Sequence, residues 1–125
     1  MSVRLRAADL RFVNRVAARR WAGGEPGPVD EQSIDSALAE AAQAEGTAFV
    51  HIARLAEGLL RRGVFASAPL PTALLILHCA LVLEGCVLIA PQGVAAGMIR
   101  AVADDGDAIR LARWLEDRAV PSASG

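Results

Sequence analysis

Gly63-Val64-Phe65-Ala66-Ser67-Ala68-Pro69-Leu70-Pro71-Thr72-Ala73-Leu74 runs directly into Leu75-Ile76-Leu77-His78-Cys79-Ala80-Leu81-Val82-Leu83-Glu84-Gly85, and the reading of this stretch decides the fold. The segment Leu70 to Ala90 is apolar enough to suggest a membrane span, which needs about 20 predominantly apolar residues. His78, Glu84 and Gly85 interrupt it, and Pro69, Pro71 and Pro91 bracket it. A helix that is apolar all round also suits the centre of a helical protein. The expectation is therefore a buried central helix from about Thr72 to Glu84. Pro71 falls in its first turn, where a missing N–H costs nothing, and Gly85 is its stop. The preceding loop, Gly63 to Pro71, contains no acid, base or cation.

Working outward, the same periodicity predicts helices on both sides. Leu10, Val13, Ala17 and Trp21 recur at helical spacing over Ala7 to Trp21, with Arg11, Arg15 and Arg19 opposite. Gly23 and Gly24 end that helix, and Glu25 to Val29 forms a turn. Asp30 is placed to cap a helix over Glu31 to Ala44, with Ile34, Leu38 and Ala41 inward. A third helix spans Ala48 to Arg62, with Phe49, Ile52, Leu55, Ala56 and Leu59 on one side. After the central helix, Cys86 to Ala90 reads as short and extended. Gln92 to Ala103 reads as a helix, Asp104 to Asp107 as a turn, and Ala108 to Arg118 as the last helix. Residues 1–120 are expected to form one all-α domain and residues 121–125 a flexible tail.

Composition narrows the function. A 125-residue chain that is 54% hydrophobic can bury a core as a single domain. Its formal net charge of −1 gives no reason to expect nucleic acid or a membrane surface as partner. Cys79 and Cys86 lie about 10 Å apart along a helix, too far for an unstrained disulfide. With no CxxC, and no signal-like apolar run between Met1 and Asp9, reduced thiols and a cytoplasmic protein are expected.

Local motifs point to structure. Asp104-Asp105-Gly106-Asp107 lacks the alternating ligands of a calcium loop, and Asp107 reads as a helix N-cap. His78 and Cys79 are helix neighbours that do not face each other, so two core residues are expected there in place of a thiol–imidazole pair. His51 reads as a capping or surface residue. Arg61 and Arg62 are the weak candidates for holding a phosphate, although arginines also suit a helix C-terminus.

The order of elements carries more. Gly27-Pro28-Val29-Asp30 leads to Ile34-Asp35-Ser36-Ala37-Leu38, then to Leu55, Gly58, Leu59 and Arg61, and then to the Gly63–Leu74 stretch. Ala101-Val102-Ala103, Asp107 and Ala112-Arg113-Trp114-Leu115 close the series. This series, over about residues 5 to 118, resembles the Fic/Doc family, and within it the short death-on-curing toxins. The family pattern is G-x-x-D-x-x-x-[IL]-x-S-A-L, a helix, then H-x-F-x-[DN]-[GA]-N-K-R-T-A-L. The resemblance implies an all-helical fold in which that motif loop opens a buried helix. In active members the histidine is the base for a protein hydroxyl, and the Asn, Lys and Arg hold nucleotide phosphates, a division of labour suited to phosphoryl or nucleotidyl transfer. Phe65, Ala68, Thr72, Ala73 and Leu74 fit the pattern. Gly63 stands at the base position, Ser67 at the acidic or amide position, and Pro69, Leu70 and Pro71 at the Asn, Lys and Arg positions. The two prolines also remove backbone N–H donors.

The resemblance thus implies a catalytically silent relative of toxin–antitoxin proteins, without a cofactor, that acts through a protein partner, either an antitoxin-like peptide or a target protein. The alternative is an active transferase of AMP or phosphate that uses ATP and Mg²⁺ through Ser67, Arg61, Arg62 or Glu57.

Overall fold

Residues 4–122 are described in a computed structural model. They form α1 (Ala7–Trp21), α2 (Glu31–Gln43), α3 (Ala48–Arg61), α4 (Pro69–Leu83), α5 (Gln92–Asp105) and α6 (Ala108–Arg118), with the short strands β1 (Cys86–Leu88) and β2 (Ala119–Pro121). The all-helical expectation holds apart from this antiparallel ribbon, in which Val87 pairs with Val120. Among the described residues no helix is long and apolar enough to cross a membrane.

The central position belongs to α3, which corrects the expectation for the 72–84 helix. α2, α4, α5 and α6 all pack on α3. From His51 to Leu59 only Arg54 keeps appreciable surface. The reason lies in residue size. Ala53, Ala56 and Gly58 let neighbouring helices approach on the sides not occupied by Ile52, Leu55 and Leu59. Ala56 joins Leu77, Ile99, Leu111 and Leu115 in one cluster, while Leu55 and Leu59 join Leu10, Ile34 and Phe65 in the other. α4 is buried on the sides facing α1, α3 and α5, yet Cys79, Val82 and Leu83 are exposed.

Several boundaries differ from expectation for identifiable reasons. α4 starts at Pro69, three residues early, because Ala68 takes a left-handed conformation (φ 46°) and turns the chain before the first proline. Pro69 and Pro71 then both occupy the first turn, whose N–H groups have no helical acceptor. Asp104 and Asp105 belong to the end of α5, since Gly106 (φ 72°) supplies the left-handed stop one residue later. Trp21, expected on the buried stripe, is 50% exposed because it ends α1 beyond the core. Pro121 is strand-paired with Cys86, and the Ser122 N–H donates to the Gly85 carbonyl (2.7 Å), so the expected loose tail is tied down at its start. Residues 123–125 lie outside the described residues.

Leu55 is fully buried at the centre of α3. Leu55→Ala is expected to lower unfolding stability by about 2–5 kcal/mol, measured as a fall in urea midpoint with unchanged slope.

Candidate functional site

The Gly63–Thr72 loop is a joint between four segments. Gly63 (φ 63°) is the left-handed residue that ends α3, and the Val64 N–H returns to the Leu59 carbonyl at 3.2 Å. A side chain at this position would carry the strain of the left-handed region. The chain then runs beside residues 28–30. Phe65 bridges to Val29, the Asp30 N–H donates to the Val64 carbonyl (3.1 Å), and the Ala66 N–H to the Pro28 carbonyl (3.3 Å). The Ser67 hydroxyl accepts the Gly27 N–H at 2.7 Å. Gly27 suits this approach, since a Cβ there would lie 3.1 Å from that hydroxyl oxygen and 3.3 Å from the Ala66 methyl and would press on both.

The far side of the loop is held by Asn14, a residue whose role was not read from the sequence. With 1% of its surface exposed, it donates from Nδ2 to the Ser67 carbonyl (2.9 Å) and to Thr72 Oγ1 (3.0 Å). Thr72 Oγ1 in turn donates to the Ala68 carbonyl at 2.6 Å, beneath the first helical bond from the Thr72 N–H to the same carbonyl. Asn14 is polar within an otherwise apolar stripe (Leu10, Ala17), and a lone polar residue at such a position is the signal that marks it.

The charged candidates are committed elsewhere. Glu57, 1% exposed, accepts from Arg61 Nε at 2.6 Å. Arg61 also lies 3.8 Å from Glu40, and Arg62 pairs with the same Glu40 carboxylate. Among the described residues no hydrogen bond joins Ser67 to Glu57, Arg61 or Arg62, so the structure does not gather them into one constellation. Asp107 caps α6, accepting the Arg110 N–H at 3.2 Å, as expected from its position. Asp30 caps α2, and the Ser33 hydroxyl and N–H hold its carboxyl below the usual aspartate range.

His51 keeps the capping role expected of it, though at the end of α2 and buried, whereas His78 departs from expectation. His51 is buried inside α3 and donates from Nε2 to the Ala44 carbonyl (2.8 Å), satisfying the end of α2, while its Nδ1 has no partner among the described residues. His78 is only half-buried and Cys79 is exposed, because the turn of α4 that carries them faces neither α1 nor α5 squarely. Both cysteines are free. Partial burial pushes the His78 imidazole below its ordinary value of 6.5.

His78 lines two cavities that flank α4. One, of about 260 Å³, lies between Trp21, Leu70, Leu74 and the start of α5. The other, of about 580 Å³, lies between Leu5, Asp9, Val82 and Leu83. Leu75, Cys79 and Val82 recur at i, i+4 and i+7 on the open side of α4, a period the sequence hides because the helix is apolar all round. Among the described residues no three His, Cys, Asp or Glu side chains are grouped to hold a metal ion. The chain matches no family model, no curated protein and no solved structure.

Asn14→Ala leaves the Ser67 carbonyl and the Thr72 hydroxyl without their buried donor, and is expected to cost about 1–3 kcal/mol in chemical denaturation. A second expectation concerns pH. The unfolded His78 takes up a proton at a pH where the folded one stays neutral, so its contribution is full above 6.5 and is lost as pH falls below that value. His78→Gln should therefore lose less melting temperature than the parent chain between neutral and mildly acidic pH.

Proposed function

We propose that this chain is a non-catalytic binding protein, a Fic/Doc-like relative of the toxin–antitoxin toxins that works through a protein partner and transfers neither nucleotide nor phosphate. One observation carries the reading. The loop that would hold a base and a phosphate clamp spends its polar groups inside the chain, on Gly27, Asn14 and the first turn of α4. Ser67, one of the residues on which the transferase alternative rests, already accepts a backbone N–H. Arg61 and Arg62, the nearest cations in sequence, face Glu57 and Glu40, which lowers their value to an incoming anion. The prolines at positions 69 and 71 leave the mouth of α4 short of N–H donors, where a helix otherwise offers an anion site.

Isothermal titration calorimetry with ATP and with GTP, each with Mg²⁺, tests this reading. The expected result is heat indistinguishable from dilution at ligand concentrations up to the order of 1 mM. Binding at micromolar concentration would overturn it and restore the transferase alternative built on Ser67, Arg61, Arg62 or Glu57.

A further inference from the structure

The smaller cavity beside α4, of about 260 Å³, lies where three helices meet without filling the space between them. Leu70, Leu74 and Leu75 of α4 form its floor. Gly93 and Ala96 of α5 form one wall, and Trp21, the last residue of α1, forms the other. Two of these residues are not explained by packing inside the chain. Trp21 keeps 50% of its surface exposed and so adds little to the core, yet its ring stands at the edge of the cavity, steadied by Arg20 at 5.6 Å from the ring centre. Gly93 lies in helical backbone, and a Cβ there would meet nothing within 4 Å. Neither conformation nor contact calls for glycine at this position, where a longer side chain would grow into the open space of the cavity.

Three properties of the cavity define the molecule it takes. The first is size. An apolar cavity of about 150 Å³ holds one benzene ring, so a space of about 260 Å³ suits two fused rings. The second is charge. No carboxylate or guanidinium lines the cavity, and partial burial favours the neutral form of the His78 imidazole. An ion placed there would give up its water with no partner to replace it. The third is the placement of polar groups. His78 and Gln92 are the polar side chains of the lining, and either can accept one N–H. The rest of the surface is aliphatic or the face of an indole, which favours a flat aromatic body. A purine fits less well, because it carries polar atoms around its whole edge and two side chains cannot satisfy them.

We propose that the cavity between Trp21, Leu74, His78 and Gly93 is a small-molecule site for a neutral bicyclic aromatic compound with a single polar edge, of the indole class. The rings stack on Trp21 over the leucine floor, and the N–H points to His78 or Gln92. Gly93 keeps the entrance open. This goes beyond the partner-binding reading and does not depend on it, since the bonds of Asn14, Ser67 and Thr72 play no part in the cavity.

The test uses the full chain, isotopically labelled for proton–nitrogen correlation NMR, with indole as the probe. The chain has two tryptophans, and Trp114 lies outside the cavity, so its side-chain N–H is an internal control. Saturable shifts of the Trp21 side-chain N–H and of the Gly93 and Ala96 amides are expected, with a Kd on the order of 0.1–1 mM and the Trp114 signal unmoved. Tryptamine adds an ammonium to the same rings, and adenosine surrounds its rings with polar atoms. Each is expected to bind at least about tenfold more weakly than indole. Gly93→Leu is expected to weaken indole by about tenfold or more while keeping or raising the melting temperature, since it removes a helical glycine in open space. Trp21→Ala is expected to weaken it comparably and to leave the circular dichroism spectrum intact. No saturable shift up to about 5 mM indole would overturn the proposal. So would binding of tryptamine or adenosine as tight as that of indole, binding untouched by both variants, or an equal response from Trp114. A silent indole titration removes only this site, whereas nucleotide binding in calorimetry removes only the non-catalytic reading.

Discussion

The buried amide of Asn14 fixes how α1, the loop after α3 and the start of α4 meet, in addition to the apolar cluster of Leu10, Phe65 and Ile76 that they share. Its two donated bonds tie the middle of α1 to the last residues of the loop and to the first turn of α4. Ser67 extends the tie to Gly27, and the 28–30 segment lies against residues 64–66. Removing water from an amide is unfavourable unless its hydrogen bonds are replaced, so this network holds one geometry or none. The left-handed Ala68 persists because bonds on both sides of it fix the chain. The loop between α3 and α4 is therefore held in a single arrangement by bonds from two distant parts of the chain.

Charge is divided between two ends of the molecule in different ways. At the end of α3, Arg61 and Arg62 serve Glu57 and Glu40, and Arg61 prevents an uncompensated carboxylate inside the core. Such a buried pair contributes little net stability, yet removing one partner is costly. Along α1 the arginines exceed their acids, and two of them rest on aromatic rings exposed to solvent. The excess is local, since the chain as a whole carries a net charge of only −1. A whole-chain charge count hides a surface of this kind.

The helices and their stops were legible because Gly23, Gly63, Gly85 and Gly106 stand at positive φ where periodic segments end. Asp30 and Asp107 were legible as caps for the same local reason, since their side chains bond the N–H three residues on. Which helix lies at the centre was not legible. α4 is the more apolar in sequence, but small residues at 53, 56 and 58 let α3 be packed from every side, and size does not register in an apolar count. The emptiness of the Gly63–Thr72 loop was plain from its residue types. Its partners were not, because Asn14 and Gly27 are about 40 to 58 residues away, and only the fold brings them near.

The enclosure of α3 also sets an order of opening. Amides exchange with solvent water when the structure that shields them parts, and local openings are cheapest where few apolar contacts must separate. The outer turns of α1 and α5 meet water on a long face and can fray while the core remains whole. The N–H groups from Leu55 to Leu59 have no outer face, so their deuteration rates track global unfolding and report the stability of the entire domain.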